Sequence, residues 1–118
     1  YHLALPRLRR SLEEGHENAE VHHGIAECLV KMGAAEDQQG RRAEADALYL
    51  EAIGHYRKGV EWNPARLDTA FSLGSVLAYV GQVEEARTVL QAALQEAETQ
   101  ADVAMIERLR RTLASLPQ

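Results

Sequence analysis

Three histidines, His16, His22 and His23, fall close together in the chain, with Glu20 and Glu27 among them. On a helix that starts after Asn18, the residues Glu20, His23 and Glu27 stand at spacings of three and four and share one face. Imidazole and carboxylate are both zinc ligands, so such a row has the side chains for a divalent metal. Against that, His16 precedes the expected helix start, and no second cluster completes a ligand set. The row also reads as a solvated polar face, or as part of a peptide groove. These readings stay open, and no metal or cofactor is assigned. Cys28 is the single cysteine, so no internal disulfide can form. Its place in mid-helix beside Ala26 and Leu29 marks a buried small hydrophobe, not a nucleophile. The sequence has no Gly-rich phosphate loop, no G-x-S-x-G and no H-E-x-x-H. No residue is assigned to catalysis, and the chain is not expected to be an enzyme.

The 118 residues suggest one domain. The first residue is Tyr1, so the chain is expected to be a piece of something longer. Hydrophobic residues make up 46% but aromatics only 5%, which implies a core of Ala and Leu that suits closely packed helices. The 13 basic and 18 acidic residues are interleaved and leave a net charge of -5. That argues against nucleic acid, which needs a clustered basic face, and fits a cytoplasmic domain. No apolar run approaches the ~18 residues of a membrane span, and no signal peptide is visible.

The periodicity predicts six helices. The first spans 3–14, with Leu5, Leu8 and Leu12 on one stripe, Pro6 in its first turn and Gly15 at its end. Asn18 caps the second, 19–32, and Gly33 stops it. Residues 34–40 are polar and read as a loop. Ala45, Leu48, Ala52, Tyr56 and Val60 mark a long third helix over about 41–61. Asn63-Pro64 reads as an N-cap followed by Pro at a helix start. Helices over about 65–80 and 83–98 follow, and Thr99 to Asp102 reads as a capping box. The last helix, about 101–115, carries Val103, Ile106, Leu109, Leu113 and Leu116 on one face. Glu107, Arg108, Arg110 and Arg111 lie on the other.

Between 67 and 98 the order of residues is more specific. Leu73-Gly74, Leu77 and Gly81 precede an acidic turn and then Ala86, Leu90 and Ala93. Small and large apolar residues in that order describe two antiparallel helices meeting at a tight turn. The stretch resembles the tetratricopeptide repeat, whose pattern is W-x2-L-G-x2-Y, then A-x3-F, then P. Ala70 stands in the Trp slot and Leu77 in the Tyr slot. Going back 34 residues from Ala86, Leu90, Ala93 and Glu98 lands on Ala52, Tyr56, Gly59 and Pro64. The leading helix repeats at 48, where Ile25-Ala26, Leu29 and Gly33 match Leu73-Gly74, Leu77 and Gly81, with His22 in the Trp slot. The difference implies an insertion at about 34–47. At the same interval, Ala4 and Leu8 match Ala52 and Tyr56. The expected organisation is a trailing helix of a truncated repeat at 1–16 and a repeat with insertion at 19–64. A second repeat follows at 65–98, and a capping helix at 99–118. The fold class is all-α: antiparallel helix-turn-helix repeats in a short right-handed α-solenoid with a C-terminal capping helix.

The resemblance implies a non-catalytic protein-protein interaction scaffold, whose leading helices line a concave groove for a peptide or partner protein. Carried onto this chain, the groove residues are Glu20, His23, Glu27 and Val30 from one leading helix. The other supplies Asp68, Phe71, Ser75, Ala78 and Tyr79. Phe71 and Tyr79 lie off the packing stripe, so they either anchor a partner side chain or are covered by the following helix. Family members that grip chaperone C-terminal tails do so with Lys, Asn and Arg on this surface. The acidic residues here would repel such a ligand, so a basic or mixed peptide fits better. Trp62, beside Asn63-Pro64, is expected to pack at the repeat junction, or to offer a second contact if exposed. The alternative is a structural module that self-assembles, or continues a longer array, through its open solenoid end.

Overall fold

A computed structural model describes residues 3–118. The described residues are all helical in their regular structure, with six helices and no strand. They are α1 (Ala4–Glu13), α2 (Ala19–Gln38), α3 (Arg42–Trp62), α4 (Leu67–Tyr79), α5 (Val83–Gln100) and α6 (Val103–Ser115). The expected all-α class is therefore observed. Of the expected N-terminal segment, Tyr1 and His2 lie outside the described residues. The chain divides into two compact units, Tyr1–Asn63 and Pro64–Gln118.

The first unit is a long hairpin of α2 and α3, with α1 packed on α2. Asn18 caps α2 as its side chain predicts, its Oδ1 accepting from the Val21 amide at 2.8 Å. Gly33, however, does not stop the helix, and residues 34–40 are not a loop. Helix α2 runs on through Gln38, and Gly33 is buried inside it. A Cβ there would lie 2.7 Å from Cε1 of Tyr49, so the missing side chain makes room for that ring. The true stop is Gly40, in a left-handed conformation (φ 76), where the Arg41 amide reaches back to the Glu36 carbonyl at 2.9 Å. The turn is tight, and most of the expected insertion is helix.

Ile25, Ala26 and Leu29 of α2 meet Ala45, Ala52, Ile53 and Tyr56 of α3 in the core, each at most 2% exposed. Cys28 is buried in this unit, as its neighbours implied. Helix α1 has no buried residue, and Leu5, Leu8 and Leu12 are half-buried. Leu8 rests on α2 at Gly24, where a Cβ would come within 3.0 Å of its Cδ1.

The second unit is the shorter hairpin of α4 and α5, with α6 packed on α5 and, more lightly, on α4. Asn63-Pro64 does not open α4. Asn63 terminates α3, Pro64 and Ala65 form a turn, and α4 starts at Leu67. Gly74 repeats the role of Gly33: a Cβ there would fall 2.5 Å from Cγ and Cδ2 of Leu90. The hairpin turns at Gly81 (φ 92), and the Gln82 amide returns to the Leu77 carbonyl at 2.8 Å. The Thr99 capping box does not form. Thr99 lies inside α5, its hydroxyl donating to the Gln95 carbonyl, and Asp102 alone caps α6 by accepting from the Met105 amide at 3.1 Å. On α6 the buried positions are Met105 and Leu109, with Leu116 just beyond its end; Val103 is 73% exposed.

Candidate functional site

The row read from sequence on α2 exists, but it is turned toward α3. Glu20 is exposed. His23 lies edge-on to the Tyr56 ring, centroids 5.8 Å apart, and its Nε2 is 3.7 Å from Oε1 of Glu27. That same Oε1 accepts from the Tyr56 hydroxyl at 2.7 Å. His23 and Glu27 are thus brought together by helical spacing and held by one tyrosine. Val30 is half-buried. Among the described residues, no group of three or more His, Cys, Asp and Glu side chains is arranged to hold a metal ion.

A polar cluster lies one position along, and of its members sequence reasoning had named only His22. His22 is 4% exposed, on the same stripe as Ile25, Ala26 and Leu29. A buried imidazole needs partners. Its Nε2 donates to Oε2 of Glu17 at 2.7 Å, because a carboxylate only accepts. Its Nδ1 is 2.9 Å from Nδ1 of His55 on α3, so one of these two nitrogens carries the proton and the other accepts it. The Trp62 ring stands edge-on to His22 at 5.5 Å. Trp62 is itself 43% exposed. On the far side of His55, Nε2 is 3.8 Å from Oε2 of Glu51, and that oxygen also accepts from Arg9 of α1 at 2.9 Å. Burial lowers the His55 pKa below its usual value, and the charge on His22 lowers it further; Glu51 opposes both. The signal for His22 was present in the sequence, since a histidine in a core slot must be paired. His55 was not legible as its partner, because that depends on the register of α2 against α3.

The α4 row is used mostly within its own unit. Asp68 pairs with Arg66 at 2.9 Å and accepts from the Thr69 amide at 3.0 Å. The Ser75 hydroxyl donates to the Phe71 carbonyl one turn back at 2.9 Å. Phe71 is half-buried, with the Arg108 guanidinium of α6 over its ring at 4.4 Å from the centroid. The expected aromatic anchor is thus partly occupied by the chain's own last helix, as cation and ring attract. Ala78 is half-buried, and Tyr79 is 55% exposed. Of the two aromatics, Tyr79 is the one that α4 presents outward.

No helix among the described residues is long and apolar enough to cross a membrane. No family model matches the chain, and no curated protein matches it closely enough to indicate a relative.

Proposed function

We propose that the chain is a non-catalytic protein-interaction module of tetratricopeptide-like hairpins, which takes a basic or mixed peptide segment of a partner protein. A matched pair of close approaches carries this reading. Gly33 against Tyr49 and Gly74 against Leu90 are the same contact in two hairpins, and each residue of one pair is 41 positions from its counterpart. The turn hydrogen bonds, Arg41 to Glu36 and Gln82 to Leu77, keep that interval. So do Ala45 with Ala86 and Ala52 with Ala93, all buried. The small residue, large residue and turn therefore recur in the order the repeat family uses. The interval they support is 41, in place of the 34 and 48 read from sequence.

This interval moves the expected face on α2. The counterparts of Asp68, Phe71, Ser75, Ala78 and Tyr79 become Glu27, Val30, Ala34, Asp37 and Gln38. Glu27 and Val30 keep their place, while Glu20 and His23 fall outside it. Each unit's row carries carboxylates, Glu27 and Asp37 on α2 and Asp68 on α4, which is the basis for a basic or mixed peptide. The cytoplasm is proposed as the compartment on overall charge alone.

The test is fluorescence polarisation with short synthetic peptides graded from acidic to basic. Basic or mixed peptides should bind and acidic ones should not, and Tyr79→Ala should weaken binding on the order of tenfold, as expected for an aromatic anchor. Equal binding across the charge series, or no effect of Tyr79→Ala, would overturn the reading. A self-assembling module is the second reading. Leu3 is 80% exposed ahead of an α1 with no fully buried residue, so this end offers apolar surface for stacking. Light scattering across a concentration series separates the two: mass that grows with concentration favours stacking.

A further inference from the structure

We propose that the chain of side chains Glu17–His22–His55–Glu51–Arg9 is an acid-sensitive latch, which ties α1, packed on α2, to α3 and loosens that tie in mildly acidic solution. The inference rests on the geometry of two imidazoles and is independent of the peptide-binding reading.

Two nitrogens 2.9 Å apart share one proton. With both rings neutral, the Nε2–H of His22 donates to Glu17, which leaves its Nδ1 to accept from the Nδ1–H of His55. One added proton can be taken without breaking anything. His22 then carries both hydrogens and donates to Glu17 and to Nδ1 of His55, whose own hydrogen moves to Nε2, facing Glu51. A second added proton has no such place. Both Nδ1 atoms then carry hydrogen and face each other with no acceptor between them, on rings whose centroids are 5.2 Å apart. The hydrogen bond must break, and two like charges in a largely buried site repel.

The groups facing the pair decide where the strain goes. They are Glu17 ahead of α2, Glu51 on α3 and Arg9 on α1, with the Trp62 ring closing one side. His23 and Glu27, the next titratable groups on α2, are engaged with Tyr56. Glu17 is already bonded to His22, so the carboxylate open to a charged His55 is Glu51. Its Oε2 is the very atom that holds Arg9. Helix α1 has no fully buried residue, and Arg9–Glu51 is a side-chain bond between it and α3. A charged His55 that swings to Glu51 competes with Arg9 for the same oxygen, and this tie of α1 to α3 weakens.

The experiment uses the full chain and two readouts. Long-range proton–nitrogen NMR follows each imidazole from about pH 8 to about pH 4.5, around the ordinary histidine range. The two Nδ1 atoms should report one shared hydrogen bond at the neutral end, and that bond should be lost at the acid end. Hydrogen exchange, corrected for the intrinsic rate, should show α1 amides losing at least about tenfold in protection between the neutral and acid ends. In His55→Gln, whose amide can still donate to His22 without titrating, that loss should shrink to less than about threefold. In Glu51→Gln, α1 should be weakly protected at both ends. An Nδ1–Nδ1 hydrogen bond that persists unchanged to the acid end overturns the latch, even if a variant fails to fold. An equal acid-induced loss of α1 protection in His55→Gln overturns it as well.

Discussion

Gly74→Ala puts the close approach of α4 and α5 under direct strain. The added Cβ would lie 2.5 Å from Cγ and Cδ2 of Leu90 and 3.1 Å from Cδ1. Carbon atoms rest at about 3.5–4.0 Å, so the deficit is about 1 Å or more. Cγ is the branch point of Leu90, not a flexible tip. It can retreat only if the side chain changes rotamer or α5 shifts. Leu90 is fully buried, so neither movement has free space. Overpacking of this kind costs about 1–3 kcal/mol, while replacing a helical glycine by alanine returns up to about 1 kcal/mol. Gly54→Ala provides the control, since a Cβ at Gly54 on α3 meets nothing within 4 Å. It should therefore stabilise by up to about 1 kcal/mol. Because both variants gain the same propensity, their difference isolates the clash, at about 1–3 kcal/mol. Urea denaturation followed by far-ultraviolet circular dichroism measures both. A double-mutant cycle sharpens the test. Leu90→Ala alone should cost about 2–5 kcal/mol. In the Gly74→Ala background part of that loss should vanish, because the new methyl enters the space Leu90 leaves, with a coupling of about 1 kcal/mol or more. If Gly74→Ala matches Gly54→Ala, or if the cycle is additive, the contact does not hold the hairpin as described.

Ala101→Gly should stabilise the second unit by about 1 kcal/mol, since Ala101 ends α5 in a left-handed conformation (φ 55) that glycine adopts without strain; thermal unfolding reads the gain. Tyr49→Phe removes a 3.0 Å hydrogen bond to Asp37 while keeping the ring in the space left by Gly33, so urea unfolding of the first unit should show a loss of about 1 kcal/mol. Arg108→Ala should cost about 0.5–1 kcal/mol and uncover Phe71, whereas Arg108→Lys should retain part of the interaction; peptide binding by Arg108→Ala then tests whether Phe71 is an anchor masked by α6. The stability of the first unit should fall in acid. His55 has a lowered pKa in the folded chain, so the unfolded chain binds its proton first: this contribution is full above about pH 6.5 and is lost as pH falls through the lowered value. Trp62 fluorescence in urea at a series of pH values follows it, and His55→Gln should flatten the dependence.

What the sequence revealed and what it concealed differ in physical kind. Signals that act within a few residues were legible. Asn18 at the start of α2 and the three- and four-residue spacing that marks α3 depend only on neighbours along the chain. Gly33 and Gly40 show the limit. Either glycine could end α2, yet Gly40 lets the chain turn and Gly33 lets a ring approach. Deciding between them requires knowing that Tyr49 packs opposite Gly33, which is a tertiary fact. Placing the stop at Gly33 ended α2 five residues short of Gln38, and the interval of 48 rests on that stop. The same limit hid His55. His22 announced a need for a partner, but four other histidines and several carboxylates were available until the register of α2 against α3 was fixed. On α4, Phe71 and Tyr79 were equally good aromatic candidates by spacing. The structure separates them by surroundings, with Arg108 of α6 over the half-buried Phe71 and Tyr79 55% exposed.

The length of α2 connects these points. It has 20 residues where α4 has 13, and the additional turns are at its N-terminal end if Gly33 and Gly74 are equivalent. Those turns contain His22 and lead back to Glu17, and α1 packs there through Leu8 on Gly24. The hairpin centre is apolar, with Ile25 and Leu29 against Ala52, Ile53 and Tyr56. Its extension is joined by hydrogen bonds and charge. An apolar pair in place of His22 and His55 would hold α3 as well or better, since a buried polar network gains little net stability over good packing. What the imidazoles add is a dependence on protons that leucines cannot have. The apolar centre carries no titratable side chain in Ile25, Leu29, Ala52 or Ile53, so a change of protonation acts first on the polar extension. Helix α1, which has no fully buried residue and is bonded to α3 through Glu51, is the part of the molecule on which such a change would act.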